Sequence, residues 1–138
     1  MITAREPCYE DVVKLIYDDE LYDRMTHDDC PPKEEFQMPT DGYDAVGGYV
    51  SGDIASLFLV HDDKMHFVVL KPCRKHAREL LKASFQKRPR SVYCEIPSLY
   101  RSVINFAKNY GFIEASIEEL AYKKNGQLYN IHRLEYEV

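Results

Sequence analysis

The stretch that most constrains this 138-residue chain runs from His66 to Gln86, HFVVLKPCRKHARELLKASFQ. Met65 and the apolar run Phe67, Val68, Val69 and Leu70 predict a strand buried on both faces, because β-branched and aromatic side chains fill a pleated, covered surface. Pro72 stops it. Beyond, Ala77, Leu80, Leu81, Ser84 and Phe85 recur at helical spacing and predict a helix lying on a sheet. The turn between is basic, with Lys71, Arg74, Lys75 and Arg78. A strand feeding a helix through such a turn aims backbone N–H groups and cationic side chains at one spot, which suits an anion such as a pyrophosphate. The same residues also read as an ordinary solvated connection.

Charge is distributed unevenly about this stretch. Residues 1–70 carry 16 Asp+Glu against 5 Lys+Arg, and residues 71–138 carry 7 against 13, so a net of −11 faces a net of +6. Between Lys71 and Arg90 eight cations meet only Glu79. A basic stripe starting at a strand-to-helix turn fits a polyanionic cofactor. Neither interleaved exposed aromatics nor a recognition helix accompanies it, which argues against nucleic acid. The acidic half suits a cationic amine or a basic protein.

The rest of the chain surrounds the stretch with regular elements. Ile2 to Arg5 is a short strand, and Pro7 opens a helix with Val12, Val13, Leu15 and Ile16 on one face, reaching at most to Leu21. From Asp18 to Glu35 no period is sustained and Pro31–Pro32 forbids a continuous helix, which predicts a helix end, a loop and at most a short helix near Phe36. A long irregular segment here also suits a substrate lid. Tyr43–Val50 and Ile54–Val60 are strands joined by Ser51–Gly52, and His61–Lys64 turns the chain into the opening strand. Ser91–Ile96 is a further strand, parallel to the opening one if the helix between is a right-handed crossover. Pro97 and Ser98 start a helix that ends at Gly111, and Asn125–Gly126 joins strands Ser116–Lys123 and Gln127–Val138.

Length and a 45% hydrophobic content allow one substantial core. No apolar run approaches the roughly 20 residues of a membrane span, and MITAREP lacks the layout of a signal peptide, so a soluble, cytoplasmic protein is expected. Cys8, Cys30, Cys73 and Cys94 are scattered, with neither disulfide nor zinc spacing.

Three segments in this order carry a family resemblance: MITAREPCYEDVVKLI, HFVVLKPCRKHARELL and IPSLYRSVINFAKNYGFIE. Over essentially all 138 residues the chain resembles the GNAT superfamily of N-acetyltransferases. The resemblance implies an α+β fold, a single domain over 1–138, whose mixed six- to seven-stranded sheet splays between two parallel strands and carries helices on both faces. It implies acetyl-CoA as cofactor, without metal, and an amine acceptor. The pantetheine arm would run along Phe67, Val68, Val69 and Leu70, and the pyrophosphate would sit against Lys71, Arg74, Lys75, His76, Ala77 and Arg78. The sequence departs from the family pattern at several positions: Pro72 stands for the usual Arg or Gln, Lys75 for the central glycine, Ala107 for the tyrosine that protonates the leaving thiolate, and Tyr100 for a frequent asparagine. These departures, with the ending NGQLYNIHRLEYEV, also resemble short GNAT-like proteins of tailed bacteriophages. That implies an alternative, a non-catalytic protein of the virion or of host interaction, with virion or host proteins as partners.

Acyl transfer to an amine needs a base near the start of the cofactor strand or on its neighbour. His66 and Glu95 are the candidates. A histidine at a strand end also serves as a solvated residue, whereas a carboxylate buried between Cys94 and Ile96 would need a reason. Ser98 reads as a helix cap. Cys94 lacks an identifiable histidine partner for a nucleophilic role.

Overall fold

A computed structural model describes residues 2–35, 43–87 and 91–137. The elements are β1 (Ile2–Arg5), α1 (Tyr9–Ile16), α2 (Asp19–Met25), β2 (Tyr43–Val50), β3 (Asp53–His61), β4 (Lys64–Val69), α3 (Ala77–Lys87), β5 (Val92–Pro97), α4 (Arg101–Tyr110), β6 (Ile113–Lys124) and β7 (Gln127–Tyr136). Short 3-10 turns at Lys33–Glu35 and Lys71–His76 complete them. The strands form one mixed sheet in the order β1-β2-β3-β4-β5-β7-β6, antiparallel except for β4 and β5. This is the α+β architecture expected from the sequence.

The three hairpins follow from their turn residues. Ser51–Gly52, Asp62–Asp63 and Asn125–Gly126 each place two consecutive residues at positive φ, the conformation whose twist matches the flanking strands. Gly52 at φ 86° and Gly126 at φ 79° take it without steric cost, and aspartate tolerates it better than most side chains.

Two apolar layers cover the sheet. Beneath α3 and α4, Phe58, Val60, Met65, Cys94, Ile96 and Leu134 pack against Leu80, Leu81, Phe85, Ile104 and Ala107. On the opposite face Val12, Leu15 and Ile16 of α1 and Leu21 and Tyr22 of α2 cover Ala45, Leu57 and Leu59. Among the described residues no helix is long and apolar enough to cross a membrane.

Several expectations need correction. The acidic stretch expected as loop contains α2, nucleated by Asp18, whose carboxylate accepts the Leu21 N–H at 3.1 Å. One cap and two buried side chains suffice for seven residues, too short a span to show a period. The helix expected near Phe36 lies outside the described residues. The helix after Pro97 starts at Arg101, with Tyr100 rather than Ser98 at the N-cap position and no side-chain cap. Ser98 Oγ instead accepts the Asn130 N–H at 3.2 Å, tying the chain to β7.

Candidate active site

Strands β4 and β5 pair only at Lys64 and Tyr93, where the Tyr93 N–H donates to Asp63 O at 2.9 Å. Each strand remains fully paired on its other side, β4 with β3 from Ser56 to His61 and β5 with β7 from Ile131 to Tyr136. The sheet therefore opens as a wedge with its apex at Lys64 and Tyr93. Strand geometry sets which groups face the opening. The Leu70 N–H points to Ala55 O on the β3 side (2.8 Å), so the alternate residues Phe67 and Val69 turn their N–H and C=O groups towards the wedge. Here the expectation of a strand buried on both faces fails: Phe67, Val68, Val69 and Leu70 are only half-buried, because β5 no longer lies beside them. Phe67 is held between Phe58 and Phe106, with centroids 5.9 Å from each.

Past the wedge, the 3-10 turn Lys71–His76 runs directly into α3, so the chain is helical from Lys71 to Lys87. Leu70 precedes the turn and supplies no side-chain cap, and Pro72 in its first turn brings no N–H. Arg74, Lys75 and Arg78 are exposed around this start, with the Arg78 guanidinium 5.9 Å from the Tyr110 ring centre. His76 is half-buried, its Nδ1 3.7 Å from Glu79 Oε2, and Ala77 is buried. The side chain of Lys71 lies outside the described set.

The two candidate bases fall on one face. Cys94 and Leu134 are paired and buried under α4, so Glu95 points to the opposite side, as do Lys64 and His66. Glu95 is not a buried carboxylate: its side chain is 33% accessible, and Oε1 lies 3.2 Å from Lys64 Nζ. His66 is exposed, yet its ring is packed closely enough that desolvation, reinforced by Lys64 and His61, lowers its pKa below the usual histidine value, opposed by Glu95. That direction favours the neutral imidazole, the form able to accept a proton.

Sequence reasoning missed Lys64, Tyr93 and Arg133, which border this pair. Arg133 lies directly opposite Glu95 in the β5–β7 ladder, with its guanidinium 3.8 Å from the Tyr93 ring centre and its Nε donating to Glu135 Oε1 at 3.1 Å. The alternation of Arg133 and Glu135 in HRLEY was the available signal for a charged strand face.

Other candidates are removed. Cys94 is 2% exposed and burial pushes its thiol up to about 12, so it is an inert core residue. Ala107 packs in the core.

The remaining border is a clasp between the loop after α2 and the β6–β7 hairpin. Buried Lys124 donates through Nζ to Asp23 O and to Thr26 O (2.6 Å), and the Tyr122 hydroxyl donates to Thr26 O at 2.9 Å. Asp28 accepts the Asn125 N–H at 2.9 Å and the Gly126 N–H at 3.0 Å, while its own N–H donates to Lys123 O. Arg24 of α2 reaches Tyr100, 5.9 Å from the ring centre. From Asp23 to Asp28, part of the segment that also suits a lid is bonded to the β6–β7 hairpin.

Neither family models nor characterised protein sequences match the chain. Solved structures do, at low identity and over nearly the full length. The ribosomal-protein-S18-alanine N-acetyltransferase of Escherichia coli is 16% identical, with 100% of this chain and 94% of that one covered and a TM-score of 0.72. A GNAT-family acetyltransferase from Streptococcus pneumoniae is 14% identical, with both chains fully covered and a TM-score of 0.72. The spermidine N-acetyltransferase of Vibrio cholerae, solved with CoA and spermine, is 11% identical over 99% of this chain and 95% of that one, with a TM-score of 0.73. From apex to clasp, this chain has the fold of the GNAT N-acetyltransferases.

Proposed function

We propose that residues 1–138 form one acetyl-CoA-dependent N-acyltransferase unit that acts on a primary amine without a metal. The observation that carries this reading is the wedge, where one pair of parallel residues is followed by a half-buried apolar strand with unengaged backbone polarity. An amide-bearing arm can add there as an extra strand, with Phe67 and Val69 supplying N–H and C=O groups. The uncapped helical start at Lys71, with Arg74, Lys75, His76 and Arg78 around it and Ala77 packed beneath, suits a pyrophosphate. Lysine in place of glycine at 75 substitutes side-chain charge for close backbone approach.

When bound, acetyl-CoA supplies an activated thioester. The chain supplies position and proton transfer: Glu95, or neutral His66 through a water, takes the proton of the acceptor ammonium, and an N–H of the splayed strand stabilises negative charge on the carbonyl oxygen. With Ala107 at the position of the usual acid, the leaving thiolate takes its proton from solvent or from the acceptor.

Calorimetry with acetyl-CoA tests the reading. Binding in the micromolar range is expected, and no heat at millimolar cofactor would sink it. The alternative, a non-catalytic GNAT-like phage protein, rests on the departures at Lys75 and Ala107; binding without turnover over a broad amine panel favours it.

A further inference from the structure

Glu95 and Arg133 are opposite charges placed directly across an antiparallel ladder, where such neighbours ordinarily pair. Here they turn away from each other. Glu95 leans towards Lys64 at 3.2 Å, while Arg133 lies on Tyr93 and bonds Glu135. Both side chains are partly open, at 33% and 42% accessibility, and Glu95 stands just beyond the last paired residue of the wedge. The result is an anion and a cation one interstrand space apart, about 5 Å between strand axes, on a partly open part of the face that α1 and α2 cover elsewhere.

Building on the acyltransferase reading, we propose that the acceptor is a free α-amino acid, its ammonium on Glu95 and its carboxylate on the guanidinium of Arg133. The planar fork of arginine matches a carboxylate in two parallel bonds, and an ammonium one carbon away is placed for Glu95. A polyamine or a lysine side chain brings no carboxylate for Arg133 and leaves that half of the site unmatched. Three carboxylates of the acidic segment are already engaged: Asp18 caps α2, Asp23 holds Lys124, and Asp28 holds the hairpin amides. Transfer forms the N–C bond and breaks the thioester C–S bond. The ammonium loses two protons, one to Glu95 and one that ends on the released thiol.

The test uses the full chain saturated with CoA, titrated by NMR with free α-amino acids, with the corresponding α-amino acid amides and with spermidine; acetyl transfer to each is measured in parallel. Amino acids are expected to shift the Tyr93 and Arg133 resonances and to bind at least about tenfold more tightly than their amides. Arg133→Gln is expected to abolish that preference and Arg133→Lys to restore part of it, with acetyl-CoA affinity retained. Should both variants unfold, the wild-type comparison of acid with amide decides alone. Equal or tighter binding of amides or spermidine overturns the proposal, as does silence across the panel, and both leave the CoA reading intact. Failure to bind CoA overturns both.

Discussion

The two faces of the sheet treat the wedge in opposite ways. Under α3 and α4 the apolar layer is continuous across it, from Phe58 and Met65 through Cys94 and Ile96 to Leu134. On the other face the layer stops at Val68 and Leu70, and beyond it stand Lys64, His66, Glu95 and Arg133. Two half-sheets joined by one backbone pair would separate if both faces were polar. Continuous burial on one face allows the other to remain open and charged, with the Asp28–hairpin clasp bracing its rim.

The largest effect should come from the open face. Glu95→Gln is expected to lower turnover by about 10²–10⁴-fold with acetyl-CoA affinity unchanged, and a loss below about tenfold would move the base to His66. Stability should respond to the closed face instead. Leu81, 1% exposed, should cost about 2–5 kcal/mol as Leu81→Ala in urea denaturation, while Val68→Ala on the half-open strand should cost about 1 kcal/mol or less. Equal costs would abolish the distinction between the faces.

Gly48 tests how tightly the closed face is packed. A Cβ there would lie 2.2 Å from Ser56 Oγ and 3.0 Å from both Leu80 methyl carbons. Ser56 is fully buried and cannot swing out, so Gly48→Ala should destabilise by about 1–3 kcal/mol in the same measurement. A neutral result would mean that α3 can lift from the sheet.

The smallest effect concerns the clasp. Bonds from the Gly126 and Asn125 N–H groups hold the Asp28 carboxyl below its usual pKa. A depressed folded value contributes stability that is present above the unfolded pKa of about 3.9 and is lost as pH falls through the folded one. The protection of the Gly126 amide, taken as its intrinsic exchange rate over the observed rate at the same pH, should therefore fall on acidification through the folded pKa, and Asp28→Asn should remove that fall. Unchanged protection would show that Lys124 and Tyr122 hold the clasp alone.

Local chemistry was sufficient for much of the molecule. Apolar periodicity marked α1, α3 and α4, paired turn residues marked all three hairpins, and Gly111 at φ 125° closes α4 as its position suggested. The order of these elements carried the fold, and His66 and Glu95 were legible as polar residues set in apolar strands. Tertiary structure decided the rest, because those properties depend on which strands become neighbours. Only the register of β5 against β7 brings Arg133 opposite Glu95, 38 residues apart in the chain, and only the single β4–β5 pair converts an apolar run into the half-open wall of a wedge. The acidic loop shows the same division: composition identified its charge, whereas bonds to a hairpin about a hundred residues away determined that Asp23 and Asp28 join the clasp.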